Sequence, residues 1–137
     1  MKRLALALAL LLAATPAFAA KATVKWTNPS TFTTGAAIPA NGLDHETIYW
    51  GTCVQVGTNA PTFGVQQGTQ TVTGTVPGAQ MSVPVYPTGT GPFCFYMTTT
   101  ASGGGTSAPS NVVKWTPPVA LGQPVVIVLH FGKRHDS

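Results

Sequence analysis

The chain has 137 residues, which is enough for one ordinary domain with its own hydrophobic core. Only 7% of its side chains are charged, so we expect no basic surface of the kind that binds nucleic acid. The formal net charge of +4 falls to +2 without Lys2 and Arg3, which lie in a segment that we expect to be removed.

Residues 1–19 have the pattern of a secretory signal peptide. Lys2 and Arg3 precede an apolar run over 4–14, and small residues follow as far as Ala19. The run is shorter than the about 20 residues that cross a bilayer core. We therefore expect cleavage after Ala19 and export to the periplasm, the extracellular space, or a cell or virion surface, with an uncleaved anchor as the alternative.

Beyond residue 19, apolar residues recur at every second position between clusters of Gly, Pro, Asn and Thr, and no segment has the repeat of an amphipathic helix. This pattern predicts an all-β domain over 20–116, a sandwich or barrel. Pro84 confines its strand to a sheet edge. The predicted strands are 22–27, 46–56, 70–76, 80–85, 93–100 and 111–115. The predicted core residues are Val24, Trp26, Ile48, Trp50, Val54, Phe93, Phe95 and Met97.

A C-terminal tail over 117–137 contains a further apolar, β-prone segment. Left exposed, such a segment promotes aggregation. It can pair with an open sheet edge of the same domain, or it can insert into a partner or an anionic membrane surface. We favour the edge, because the segment is too short to span a membrane and the link through Pro117 and Pro118 is long enough to turn the chain. The residues concerned are Val125, Val126, Ile127, Val128, Leu129 and Phe131.

The order of four strings along the domain resembles a fibronectin type III domain of bacterial exported or phage-encoded proteins. The strings are Val24-Lys25-Trp26-Thr27-Asn28-Pro29, Ile48-Tyr49-Trp50-Gly51, Phe93-Cys94-Phe95-Tyr96-Met97 and Ser107-Ala108-Pro109-Ser110-Asn111-Val112-Val113. The resemblance implies an immunoglobulin-like β-sandwich. The family usually has a strand before the first Trp strand, and here that strand is missing, because only Ala20 and Lys21 remain after cleavage. The resemblance therefore also implies an uncovered sheet edge.

Cys53 and Cys94 are the only cysteines, and an even number of cysteines in an exported chain points to a disulfide. Period-two alternation places both side chains on the face opposite the core. In the family that the chain resembles, the two strands are antiparallel neighbours, so the resemblance implies that the thiols meet on the outer face of the sheet. Two free or metal-binding thiols are the alternative, but they lack a second Cys pair or a His at ligand spacing.

Few side chains are suited to catalysis, since Asp44, Glu46 and Asp136 are the only carboxylates. A zinc-binding His-Glu-x-x-His motif starting at His45 fails, because Tyr49 stands where the second His is needed. We interpret Asp44 to Glu46 as the solvated start of a strand. Motifs for a nucleophile or for phosphate binding are also missing. We therefore expect no enzyme, no metal and no cofactor.

Tyr49 and Tyr96 are the candidate binding residues. Alternation places both on the outer sheet face near the cysteines, and exposed tyrosines suit a protein or a surface glycan because they combine an apolar ring with a hydroxyl. Rings that only shield the sheet and the disulfide are the alternative. The expected function is a non-catalytic structural, adhesion or protein-interaction module. A carbohydrate-binding accessory domain of a cell-surface or virion-associated system is the alternative, and we expect membrane contact only through the tail.

Overall fold

The computed structural model describes residues 20–118 and 125–131, so the predicted signal peptide and residues 119–124 and 132–137 of the tail lie outside it. The described residues form seven strands and no helix, and thus offer no helix that could span a membrane. One sheet has the order β4-β1-β7 and the other β3-β2-β5-β6. The expected all-β architecture of two sheets is confirmed. The strands are β1 Ala22–Thr27, β2 Leu43–Val54, β3 Thr62–Val72, β4 Gln80–Val85, β5 Phe93–Ala101, β6 Val113–Trp115 and β7 Val125–Leu129.

The predicted strands are accurate where apolar alternation is strongest. β1 and β4 match their predicted bounds residue for residue, and β5 extends one residue beyond its predicted end. Within the part of the chain that the structure describes, β4 pairs with β1 alone and therefore lies at a sheet edge, as Pro84 predicts. β2 starts earlier than predicted, at Leu43, and β6 is shorter than predicted.

The prediction for β3 is wrong over most of its length. The sequence predicts a strand over 70–76, whereas β3 runs from Thr62 to Val72. All of its residues are exposed or half-buried, so no apolar alternation marks it in the sequence. Gly68 is required within it, because a Cβ there would overlap the indole ring of Trp50, which lies across this glycine.

The core lies between the inner faces of the two sheets, as the alternation of β1 and β5 predicts. Trp50 is half-buried and packs against this core, but Val54 is 49% exposed and its predicted burial is wrong. The pairing of β2 with β3 is irregular between Trp50 and Cys53, which ends the alternation before Val54 is reached. The core residues include Val24, Trp26, Ile48, Val85, Phe93, Phe95, Met97, Trp115, Ile127 and Leu129.

The tail segment forms β7, which pairs in parallel with β1 from Ala22 opposite Val125 to Trp26 opposite Leu129. The predicted pairing with an open sheet edge is therefore confirmed. Ile127 and Leu129 are buried in the core, whereas Val126 and Val128 face outward and are exposed. Phe131 packs against the core beyond the end of the strand.

Candidate functional site

Two tyrosines meet on the outer face of the four-stranded sheet. Tyr49 of β2 lies directly opposite Tyr96 of β5. Their ring centroids are 4.6 Å apart and the ring planes differ by 10°, so the rings are stacked. Both side chains are half-buried. The structure thus brings together the two binding residues suggested by the sequence.

A third ring, that of Phe63 on β3, completes what we call the aromatic cluster: Tyr49, Phe63 and Tyr96. The Phe63 ring stands perpendicular to that of Tyr96, with the centroids 4.7 Å apart. Gly51 of β2 makes this contact possible, because a Cβ there would lie 2.9 Å from Phe63 Cζ and would overlap the Val65 carbonyl oxygen. The sequence pattern does not identify Phe63 as a member of the cluster, because the predicted strand begins only at residue 70.

The predicted disulfide between Cys53 and Cys94 is confirmed. It joins β2 to β5 with a Cα–Cα distance of 5.1 Å. Cys94 alternates with Phe93 and Phe95, so its side chain lies on the face opposite the core, and it is fully buried there. Closing a loop with a sequence separation of 41 stabilises the fold by about 4 kcal/mol in the chain-entropy model. The disulfide therefore fixes the two strands that carry the tyrosines.

The surroundings of the aromatic cluster are almost free of charge. No Asp, Glu, Lys, Arg or His occurs between Glu46 and Lys114 in the sequence. Lys114 lies opposite Cys94 on β6, and its Nζ donates a hydrogen bond of 2.9 Å to Gln55 Oε1. Burial, and to a smaller extent the neighbouring Tyr49, raises the pKa of the Tyr96 hydroxyl. Tyr96 therefore stays neutral at physiological pH, and the cluster offers apolar contact and neutral hydrogen bonding.

The interpretation of Asp44 to Glu46 as a solvated start of a strand is wrong for Glu46. Asp44 and His45 are accessible, and His45 Nδ1 lies 2.6 Å from Asp44 Oδ2. Glu46 instead shares the inward side of β2 with Ile48 and is fully buried, opposite Thr99 of β5. Among the described residues, its two carboxylate oxygens have no hydrogen-bond partner.

The buried carboxyl group of Glu46 has a strongly altered pKa. Burial raises it from the ordinary 4.5 to about 7, and the nearby Trp26 and His45 lower it by smaller amounts. The Trp26 indole N–H donates to Asn28 Oδ1 at 2.7 Å, and Asn28 Nδ2 donates in turn to the Val76 carbonyl oxygen at 2.8 Å. Glu46 is thus an ionisable group inside the core, and its side chain points away from the outer face that carries the aromatic cluster.

Within residues 20–118 and 125–131, no three His, Cys, Asp or Glu side chains converge as a metal site would require. No family model, curated protein or solved structure matches the chain. The chemistry of the aromatic cluster and its surroundings is therefore the guide to function.

Proposed function

We propose that the chain is an exported, non-catalytic interaction module that binds a protein partner through the aromatic cluster. The observation that carries this proposal is the contact of three half-buried rings on the outer face, two of them on strands that a disulfide joins. Preassembled aromatic side chains bind at low entropic cost, because little conformational freedom remains to be lost. Aromatic residues are also enriched among the interface residues that contribute most of the binding energy.

A fibronectin type III-like identity and export form part of the same proposal. β2 and β5 are antiparallel neighbours, which is the arrangement that the resemblance implies. β7 covers the edge of β1 that a missing first strand would leave open. Disulfides persist in oxidising compartments, so the Cys53–Cys94 bond supports export together with the signal-peptide pattern of residues 1–19.

A protein partner is favoured over a saccharide by the way the rings contact one another. A saccharide stacks on a free ring face, and the Tyr49–Tyr96 stack together with the Phe63 contact leaves fewer such faces than three separate rings would. A carbohydrate-binding accessory domain is the second candidate, because neutral hydrogen-bonding side chains surround the cluster. Thr69 lies opposite Tyr49, and Thr47 and Thr98 face each other one step further along the same face.

The test compares the Tyr49→Ala/Tyr96→Ala double variant with the full wild-type chain. Binding to proteins captured from the envelope fraction of the source cells should weaken by about 30-fold, the size of a typical interface hot spot. Tyr86→Ala is the matched control, since Tyr86 is 53% exposed and lies outside the aromatic cluster. Unchanged binding by a correctly folded double variant would refute the proposal. Glycan-array binding that the double variant loses would support the carbohydrate module instead.

A further inference from the structure

The two sheets differ in how their edges are protected. Natural edge strands avoid pairing with other chains by being short or by carrying proline or charge. β4 contains Pro84, β6 has 3 residues and β7 has 5. β3 has 11 residues, from Thr62 to Val72, and includes neither a proline nor a charged side chain. β3 is therefore the longest of the four edge strands that the structure describes, and neither proline nor charge protects it.

Among the described residues, no strand covers the outer edge of β3. An edge strand directs half of its backbone N–H and C=O groups away from its sheet. Within the described part of the chain, the pairing of β3 is with β2 alone. The register is continuous from Trp50 opposite Gly68 to Glu46 opposite Val72, and the irregularities lie beyond this stretch. Residues 68–72 thus form a regular edge on which another strand can pair.

We propose that β3 pairs antiparallel with β3 of a second copy of this chain. Antiparallel pairing of identical edges follows a two-fold axis, which gives a closed dimer with the same surface on both sides. Identical edges repel when they carry like charges, but β3 carries none. Its exposed side chains include Gln66, Gln67, Thr69 and Thr71, whose amides and hydroxyls both donate and accept hydrogen bonds. This neutral edge is complementary to itself, and it offers no ion pair to a charged strand of another protein.

The dimer has a consequence for binding that rests on the proposed function, although the pairing itself does not. A two-fold axis perpendicular to the sheet joins two four-stranded sheets into one continuous sheet, with both outer faces on the same side. Two aromatic clusters then face the same direction. A dimer with this arrangement binds with avidity to a surface that displays many copies of the partner.

The experiment measures the mass of the full, disulfide-bonded chain by sedimentation equilibrium across a range of concentrations. Wild type should form a dimer. The Thr69→Lys/Thr71→Lys variant places like charges on both edges and should weaken dimerisation by at least about 100-fold, since like charges that face each other cost several kcal/mol. The matched control is Gln80→Lys/Ser82→Lys, which adds the same charge to exposed positions of the edge strand β4 and should leave the dimer intact.

A charge-swap experiment keeps the proposal testable if the lysine variant is poorly folded. The Thr69→Glu/Thr71→Glu variant should also be monomeric, and mixing it with the lysine variant should give a 1:1 heterodimer. Wild type that stays monomeric up to its solubility limit would overturn the proposal, as would a lysine variant that still forms the dimer. These results are independent of the tyrosine variants, because mass reports on the β3 edge and partner affinity on the aromatic cluster.

Discussion

The burial of Glu46 predicts an unusual dependence of stability on pH. Its carboxyl group is fully buried, and burial raises its pKa from the ordinary 4.5 to about 7. Between these values the folded state holds a proton that the unfolded state has released, so the free energy of unfolding falls as pH rises. Below pH 4.5 both states are protonated, and above pH 7 both are ionised, so the loss is then complete. At 1.36 kcal/mol for each pKa unit, ionisation of Glu46 costs about 3 kcal/mol.

The Glu46→Gln variant tests this prediction because it removes the titrating group at nearly constant volume. Urea denaturation at pH 4, 5.5 and 8 measures the free energy of unfolding of both proteins. Relative to wild type, the variant should gain about 3 kcal/mol between pH 4 and pH 8. The Asp44→Asn variant is the control and should show no such gain, because Asp44 is 63% exposed. A constant difference between wild type and the glutamine variant at all three pH values would refute the reasoning.

Three further predictions concern the disulfide, β7 and the aromatic cluster. Replacing Cys53 and Cys94 with Ser should lower the free energy of unfolding by about 4 kcal/mol in urea titrations, and alkylation of two thiols in the unreduced wild-type protein would contradict the bond itself. Ile127→Ala should cost about 2–5 kcal/mol because Ile127 is 2% exposed in the core, whereas Val126→Ala on the outward side should cost far less; equal losses in thermal melts would argue against the pairing of β7 with β1. Gly51→Ala should displace the Val65 backbone together with Phe63 and lower stability by roughly 1–3 kcal/mol through overpacking, and a crystal structure of the variant with both still in place would show the reasoning to be wrong.

The sequence predicts most reliably those strands whose inward-facing side chains are apolar. β1, β4 and β5 have clear alternation, because Val24, Trp26 and Phe95 must face the core. The same alternation places Tyr49 and Tyr96 on the outer face, and the register of β2 with β5 sets them opposite each other. β7 was also predictable as a strand, since a long apolar run has to find a sheet edge or a partner.

Features that depend on tertiary contacts could not be predicted in this way. β3 buries little of either face, so its sequence has no apolar period to detect. Phe63 reaches Tyr96 only because β3 packs beside β2 and Gly51 leaves space for the ring. The burial of Glu46 conflicts with the usual exposure of carboxylates, although the parity it shares with Ile48 was a signal for an inward position.

Photo-crosslinking gives the most direct test of binding through the aromatic cluster. Benzoylphenylalanine replaces Phe63 in one variant and Tyr86 in another, and each full chain is irradiated with the envelope fraction of the source cells. Phe63 lies within the cluster, whereas Tyr86 is an exposed aromatic side chain outside it. Binding through the cluster predicts a covalent adduct with one discrete protein from position 63 and none from position 86. An adduct from position 86 alone would contradict it.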